Sequence, residues 1–179
     1  GTPYTPMNDK LVHVLSDGFQ APNARALVYP LLIHQDALEA NGIKIRIFNQ
    51  PISSFGDCDL VFIDSKHFRG KVQGTLDYIH EKLEYFSSKC NCVSWYDSTD
   101  SAGWLVGSVL PYVQRYFKNQ ILRDRAAYLK PMYGRRTYTD FYHHTKGIID
   151  RIADDAPQVT DPLLLKRLRL GWNSGLADY

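Results

Sequence analysis

The sequence predicts an α/β fold, an open parallel sheet with helices on both faces, followed by an irregular aromatic and basic segment and a final helix. Short apolar runs alternate with stretches whose apolar residues recur at helical spacing, and the turns between them are short. Three of the apolar runs end in acidic and small polar residues. Alternation of this kind favours parallel strands joined by right-handed crossovers. The 179 residues fit a single domain, and we expect its core to span about 8–130.

Five apolar runs are predicted as strands, at 10–15, 43–48, 59–63, 91–96 and 110–117. The run at 59–63 is apolar almost throughout, which is typical of a strand covered on both faces. Strands of this kind, separated by helices, indicate a Rossmann-like sheet.

Two long helices are predicted between these strands. The first covers 23–41, where Asn23 can cap the start. Pro30 inside it has no N–H for the Ala26 carbonyl, so we expect a kink or two helical pieces. The second covers 70–86, with apolar residues three and four apart.

Beyond residue 119 the strand–helix alternation breaks down. A short helix is expected at 120–128, an irregular aromatic and basic stretch at 134–147, and a loop at 154–160. Asp161-Pro162 then favours the start of a last helix, because the Asp can cap it and the Pro fits its first turn. One side of that helix would carry Leu164, Leu168 and Trp172.

Composition and charge exclude several classes of protein. The chain is 44% hydrophobic and 22% charged with a net charge of +2, which is ordinary for a soluble globular protein. It has no apolar run near the roughly 20 residues of a transmembrane helix, and no signal-peptide pattern. The three cysteines lack zinc-type spacing, and the start at Gly1 suggests an excised fragment or a processed end. We expect a cytoplasmic protein, with contact to a membrane surface left open.

Polar residues follow three of the predicted strands at the point where each strand ends. They form the turns Ser16-Asp17-Gly18, Asp64-Ser65-Lys66-His67 and Asp97-Ser98-Thr99-Asp100-Ser101. Open α/β folds place ligand crevices at the carboxyl ends of their strands. We therefore expect the three turns to converge on one polar pocket.

The turns supply candidate site residues, each with a plainer structural interpretation beside it. Asp17, Asp97 and Asp100 are the candidate catalytic carboxylates. The turn at 64–67 could supply a hydrogen-bonding acid and a base. Candidates for substrate binding in and near these turns are Gly18, Arg25, Asp64, Lys66, Ser98 and Ser101. The alternatives are turn-forming hydrogen bonds and solvent-facing charge.

A basic and aromatic run follows at 115–136, with seven Lys and Arg residues against the single acid Asp124. Such a run suits a phosphate-bearing partner, namely a nucleotide, a lipid diphosphate or an anionic membrane surface, and is equally compatible with solvated surface charge. Nucleic acid is not expected, because no reading motif accompanies the charge. Binding candidates here and beyond are Lys118, Arg123, Arg125 and His143. No metal is expected, since adjacent histidines rarely share one ion.

Several strings in the chain carry a family likeness. They are Ser16-Asp17-Gly18-Phe19, Asp64-Ser65-Lys66, and the stretches 95–101, 110–113, 118–125, 138–143 and 168–179. Together they resemble the N-terminal half of a bacterial or viral glycosyltransferase-like family, over nearly the whole chain.

The resemblance implies a GT-B-type enzyme of polysaccharide biosynthesis, with two Rossmann-like domains facing across a cleft. This chain would be the N-terminal, acceptor-side domain, and a C-terminal domain outside it would bind the nucleotide-sugar donor. The acceptor would be a glycan or a lipid-linked sugar, and no cofactor is expected in this chain. The general base would be Asp17, Asp97 or Asp100, and the basic residues would meet phosphates.

Two other functions stay open. The order of Asp17, Asp64, Ser94 or Ser98, and Lys118 along the strands suits a receiver-like phosphoacceptor domain. Against it, the first strand ends in one acid rather than two, and the chain is longer than such a domain needs. The other alternative is a non-catalytic module that binds sugars or a protein partner through its tyrosines.

Overall fold

A computed structural model describes residues 9–20, 22–68, 76–151, 156 and 158–172. Its centre is a six-stranded, all-parallel sheet in the order β2-β1-β3-β4-β5-β6. The predicted α/β, Rossmann-like open sheet is confirmed. The chain moves outward from β1 to β2 and then returns to β3 on the other side of β1. The topological switch point, where open α/β sheets bind ligands, therefore lies between β1 and β3.

The strands are β1 (Lys10–Leu15), β2 (Ile43–Phe48), β3 (Leu60–Asp64), β4 (Cys92–Asp97), β5 (Arg115–Lys118) and β6 (Leu168–Leu170). The α-helices are α1 (Pro22–Ile33), α2 (Gln35–Ala40), α3 (Leu76–Lys89) and α4 (Thr137–Lys146). Short 3-10 turns lie at Gly18–Gln20, Ser65–Phe68, Gly107–Tyr112, Arg125–Leu129, Tyr133–Arg135 and Pro162–Arg167. Among these residues, no helix combines the length and the apolar character that crossing a membrane requires.

Helices cover both faces of the sheet, as predicted. Adjacent residues of β1 point to opposite faces, so that Val14 packs with Leu27 of α1 while Leu15 joins the other core. That second core is formed with α3, which contributes Ile79, Leu83 and Phe86. The central strands β3 and β4 are buried on both faces, which explains the continuous apolar run at 60–63 in β3.

The first helical segment consists of two pieces, as expected, but Pro30 lies inside the first piece and the break falls four residues later, at His34. α1 ends at Ile33 and α2 begins at Gln35. The Ala26 carbonyl, which Pro30 cannot bond, accepts a hydrogen bond from the Trp172 indole Nε1 at 2.6 Å. Trp172 also packs against Tyr96, with ring centroids 5.1 Å apart. A residue 146 positions away thus satisfies a carbonyl that the proline leaves free.

Two predicted boundaries were wrong for local reasons. The fifth strand begins at Arg115 rather than at residue 110, because 107–112 forms a 3-10 turn that contains Pro111. The stretch 134–147, expected to be irregular, contains α4. Gly147 ends α4 in a left-handed conformation (φ 66°), and its N–H bonds to the His143 carbonyl. This glycine was the available signal for the end of a helix.

The final helix was also predicted wrongly in its length. The Asp161 carboxylate caps the Leu163 N–H at 2.9 Å and Pro162 takes the first turn, as expected, but the turn ends at Arg167. The next residues form β6, which pairs in parallel with β5. Leu168 is fully buried there, and its pairing with a distant strand outweighs the local helical pattern.

Parts of two predictions lie outside the described residues. The helix expected at 70–86 is seen from Leu76 onward, and it extends to Lys89. The loop expected at 154–160 is described only at Ala156 and from Gln158 onward. The Ala156 backbone forms an isolated antiparallel bridge with Met132.

Replacing Trp172 with Phe should destabilise the fold by about 1–3 kcal/mol, because the buried Ala26 carbonyl then has no donor. The double variant Pro30→Ala/Trp172→Phe should lose less than the sum of the two single variants, since an alanine in place of Pro30 would supply the missing helical N–H. Urea unfolding of the four proteins measures this coupling. Strict additivity of the two changes would contradict the role given to the indole.

Candidate functional site

The three acid-bearing turns meet at the carboxyl edge of the sheet, as predicted, but the first and the third line two separate cavities rather than the one pocket expected from the sequence. The Ser16 hydroxyl, after β1, donates to Asp64 Oδ2 at the end of β3 over 2.8 Å. The Ser98 backbone N–H, after β4, donates to the Ser65 hydroxyl over 3.3 Å. Hydrogen bonds therefore connect all three turns around the switch point between β1 and β3.

Asp64 is the central acid of this edge and is fully buried. Its second oxygen, Oδ1, accepts the Lys66 backbone N–H at 2.9 Å. Burial raises the pKa of Asp64 to about 6, and the bonds from Lys66 and Ser16 oppose the shift. Asp64 is thus a buried carboxyl that organises the turns, and solvent does not reach it.

Asp97 and Lys118 form a buried ion pair between the ends of β4 and β5. The Lys118 Nζ lies 3.1 Å from Asp97 Oδ2, and both side chains are 0% exposed. The Tyr116 hydroxyl donates to the same oxygen at 2.7 Å, and Lys118 also donates to the Thr99 hydroxyl at 2.6 Å. Burial lowers the pKa of Lys118, which Asp97 counteracts, and burial raises the pKa of Tyr116.

This pair changes two expectations from the sequence. Asp97 is closed off from any acceptor hydroxyl, so its position does not suit a general base. Lys118 is enclosed with its counter-ion, so its position does not suit contact with a phosphate. Both side chains instead hold the carboxyl end of the sheet together.

Asp17 and His67 form the one described acid–base pair at this edge that solvent reaches. Asp17 Oδ1 lies 2.8 Å from His67 Nδ1, and the two side chains are 34% and 11% exposed. An ionised carboxylate only accepts hydrogen bonds, so Nδ1 carries the proton of this bond. Asp17 also borders a cavity of about 550 Å³ between the ends of β1 and β2. The pairing spans 50 positions, which no sequence pattern reveals.

Asp100 and Ser101 lie farther along the loop after β4. Asp100 is exposed, and its Oδ1 accepts from the Asn23 amide at 3.0 Å. The same amide nitrogen donates to the Ser98 carbonyl at 2.8 Å, so Asn23 ties the start of α1 to this loop. The Ser101 hydroxyl donates to the Arg135 carbonyl. Both Asp100 and Ser101 line a second cavity, of about 860 Å³.

Gly134 and Arg135 form an unusual turn beside this second cavity. Both have a left-handed backbone, with φ 65° and φ 58°, and Arg135 is the only described residue other than glycine with a positive φ. That conformation costs an ordinary residue about 1–2 kcal/mol. A Cβ at Gly134 would lie 2.5 Å from Thr139 Cγ2, so a side chain there is excluded. The bond from Ser101 helps to hold the turn in place.

Other predicted residues near the edge have varied environments. Gly18 has φ 61°, and its N–H bonds to the Ser16 hydroxyl, which completes the first turn. Ser98 is fully buried, and its hydroxyl has no hydrogen-bond partner within the described part of the chain. Lys66 is half-buried, and Arg25 is exposed on α1.

The remaining candidates are not brought to the edge by any described contact. The Arg125 guanidinium donates to the Leu168 carbonyl at 3.1 Å and thereby supports β6. His143 stacks on Tyr133 with ring centroids 3.7 Å apart, and its Nδ1 lies 3.0 Å from the Ile148 carbonyl oxygen. Arg123 is exposed. Within the described ranges, no cluster of three or more His, Cys, Asp or Glu side chains could hold a metal ion.

Replacing Lys118 with Met should destabilise the protein by about 3–5 kcal/mol, because Asp97 then remains buried without its counter-ion. The double variant Asp97→Asn/Lys118→Met should lose clearly less, since no buried charge remains. Lys44→Met, on the exposed side of β2, is the matched control. Urea unfolding measures the free energy of unfolding of these three variants and of wild type. A double variant as unstable as Lys118→Met would contradict the account of the pair.

Asp64 should make the protein less stable as the pH rises. Its pKa is raised to about 6 from an ordinary value of 3.8, so its protonated form favours the folded state. This contribution is complete below pH 4 and is lost as the pH rises through 6, a change of roughly 3 kcal/mol. Asp64→Asn should remove that pH dependence. Urea unfolding at pH 4 and pH 7 measures the change in unfolding free energy, with the exposed Asp36→Asn as the control for losing one carboxylate. An equal change between the two pH values in wild type and Asp64→Asn would contradict this role of Asp64.

Comparisons with known proteins add no relative. No family model, no curated protein and no solved structure matches the chain.

Proposed function

We propose that this chain is the acceptor-side domain of a glycosyltransferase that moves a sugar from a nucleotide-sugar donor to a glycan or lipid-linked acceptor. A further, C-terminal domain would bind the donor across a cleft from the carboxyl edge of this sheet. The proposal draws on the family resemblance of the sequence and on the open α/β fold. The setting would be polysaccharide biosynthesis in the cytoplasm, with a lipid-linked acceptor bringing the enzyme to a membrane surface.

The single observation that carries the proposal is the Asp17–His67 pair. It joins a carboxylate to an imidazole at 2.8 Å, at the ligand-binding edge of the fold, with both groups partly open to solvent. Asp64 and Asp97 are fully buried. Asp100 is exposed, but its described partner is the Asn23 amide rather than a base. The pair is therefore the best-placed acid–base group for an incoming hydroxyl.

The chemical step needs a base for an acceptor hydroxyl. His67, with its Nδ1–H held by Asp17, takes that proton on Nε2, and Asp17 stabilises the resulting imidazolium. The hydroxyl oxygen forms a bond to the anomeric carbon of the donor sugar. The bond from that carbon to the phosphate oxygen breaks, and its electron pair leaves with the nucleotide. Arg25, exposed near the start of α1, remains available to the phosphates. No described contact brings Arg123 to this edge, and Lys118 and Arg125 are engaged within the fold.

A receiver-like domain is the second candidate, because the order of the first five strands is the one that such domains share. Asp64 ends β3 and Lys118 ends β5, where its phosphoacceptor and lysine would lie. However, Asp64 is 0% exposed, and Lys118 bonds to Asp97 rather than to Asp64. A phosphoryl donor could reach Asp64 only if the residues that bury it moved, and Lys118 could reach a phosphate on Asp64 only if its ion pair with Asp97 broke. The geometry therefore favours the transferase.

Asp17→Asn and His67→Gln should each lower kcat by about 100-fold or more, the usual contribution of general base catalysis. Both should leave thermal unfolding close to that of wild type. The matched controls are Asp36→Asn and His34→Gln, which change exposed residues at and beside α2. Release of nucleoside diphosphate is measured with the donor-binding domain present, using UDP-glucose, UDP-N-acetylglucosamine and GDP-mannose as donors. Unchanged rates in both site variants would refute the assignment of the base.

A further inference from the structure

The cavity of about 860 Å³ beside Asp100 takes no part in the acid–base chemistry described above. It lies at the carboxyl edge, where the loops after β4 and β5 contribute Asp100 and Gln120. The turn that holds Arg135 and the first turn of α4 form its opposite wall. Its volume falls within the range of small-molecule sites. Neither Asp17 nor His67 is among its lining residues.

Two aromatic rings on the cavity wall each carry a guanidinium group. The Arg135 guanidinium lies 5.1 Å from the Trp104 ring centroid, and that of Arg136 lies 5.8 Å from the Tyr138 centroid. Arg136 Nη1 also donates to the Tyr138 hydroxyl at 2.5 Å. These contacts orient the N–H donors of the guanidinium groups beside flat apolar surfaces before any ligand binds, which lowers the entropy cost of binding.

Hydrogen-bond acceptors line the same cavity. The Asp100 carboxylate lines it, and the bond from the Asn23 amide to Oδ1 restricts its orientation. The Gln120 side chain, exposed in the loop after β5, can both donate and accept. The left-handed turn at 134–135, which the Ser101 hydroxyl bonds, fixes the position of this wall relative to the loop after β4.

This combination selects one class of ligand. A simple anion would meet the Asp100 carboxylate, and a purely apolar ligand would leave the charged groups without partners. A sugar ring has an apolar face for stacking and a rim of hydroxyls that both donate and accept. Aromatic side chains with a polar edge are suited to such amphipathic surfaces.

We infer that this cavity holds a sugar ring of the acceptor, stacked on the exposed ring of Tyr138 close to Trp104 and bonded through its hydroxyls to Asp100 and Arg136. The inference rests on the proposed function and narrows it. Because neither Asp17 nor His67 lines the cavity, the bound ring is not the one that reacts. The acceptor is therefore an oligosaccharide, of which one unit is held in the cavity and another reaches His67.

Binding is tested by NMR, with the methyl β-glycosides of glucose, N-acetylglucosamine and glucuronic acid as probes. At least one probe should shift the indole N–H resonance of Trp104, assigned from the spectrum of Trp104→Phe, while that of the buried Trp95 stays in place. Tyr138→Ala should weaken binding about 3- to 10-fold, the measured worth of one aromatic contact. Tyr142→Ala is the matched control, because it lies on the same helix with similar exposure, 49% against 55%, outside the cavity.

The outcomes separate this inference from the proposed function. A Trp104 resonance that no probe shifts, or an equal loss in Tyr138→Ala and Tyr142→Ala, overturns the sugar site. Transfer that needs Asp17 and His67 but has an unchanged acceptor KM in Tyr138→Ala also overturns it, and leaves the proposed function standing. Binding of a probe at Trp104 in a protein that transfers no sugar supports the site and refutes the enzyme, which makes the chain a sugar-binding module.

Discussion

The carboxyl edge of this sheet depends on the buried ion pair between Asp97 and Lys118. Two charges without water are costly unless other groups complete their hydrogen bonds, and here the Tyr116 and Thr99 side chains do so. The Tyr116 hydroxyl also accepts the Val106 N–H at 2.9 Å. One network therefore joins the ends of β4 and β5 to the loop between them, and that loop carries Asp100 and Ser101 to the larger cavity.

Four acids of similar sequence context have different chemistry because of where the fold places them. Asp64 and Asp97 are enclosed and serve the structure, whereas Asp17 and Asp100 lie at the surface of the same edge. Asp17 has an imidazole partner and Asp100 an amide partner. A carboxylate–imidazole pair that solvent partly reaches can move a proton, while a fully buried ion pair cannot exchange one with a substrate.

The sequence correctly predicted the elements that depend on residues close together in the chain. The strand at 43–48 has the predicted bounds, and the segment beginning near Asn23 forms two helices, as expected, although the break lies at His34 rather than at Pro30. The capping role of Asp161 was also predicted correctly. β6 was missed because β5, its strand neighbour among the described residues, lies 50 residues away, and a three-residue strand has too few residues for a detectable alternation.

The sequence by itself determined the fold class and the edge at which polar groups collect, because strand periodicity and strand-end composition are properties of neighbouring residues. Only the tertiary structure decided which acid is paired with His67, which is paired with Lys118, and which carbonyl Trp172 satisfies. These partners are 21 to 146 positions apart. Burial and contact at such separations follow from how the strands are ordered in space, and spacing along the chain does not encode them.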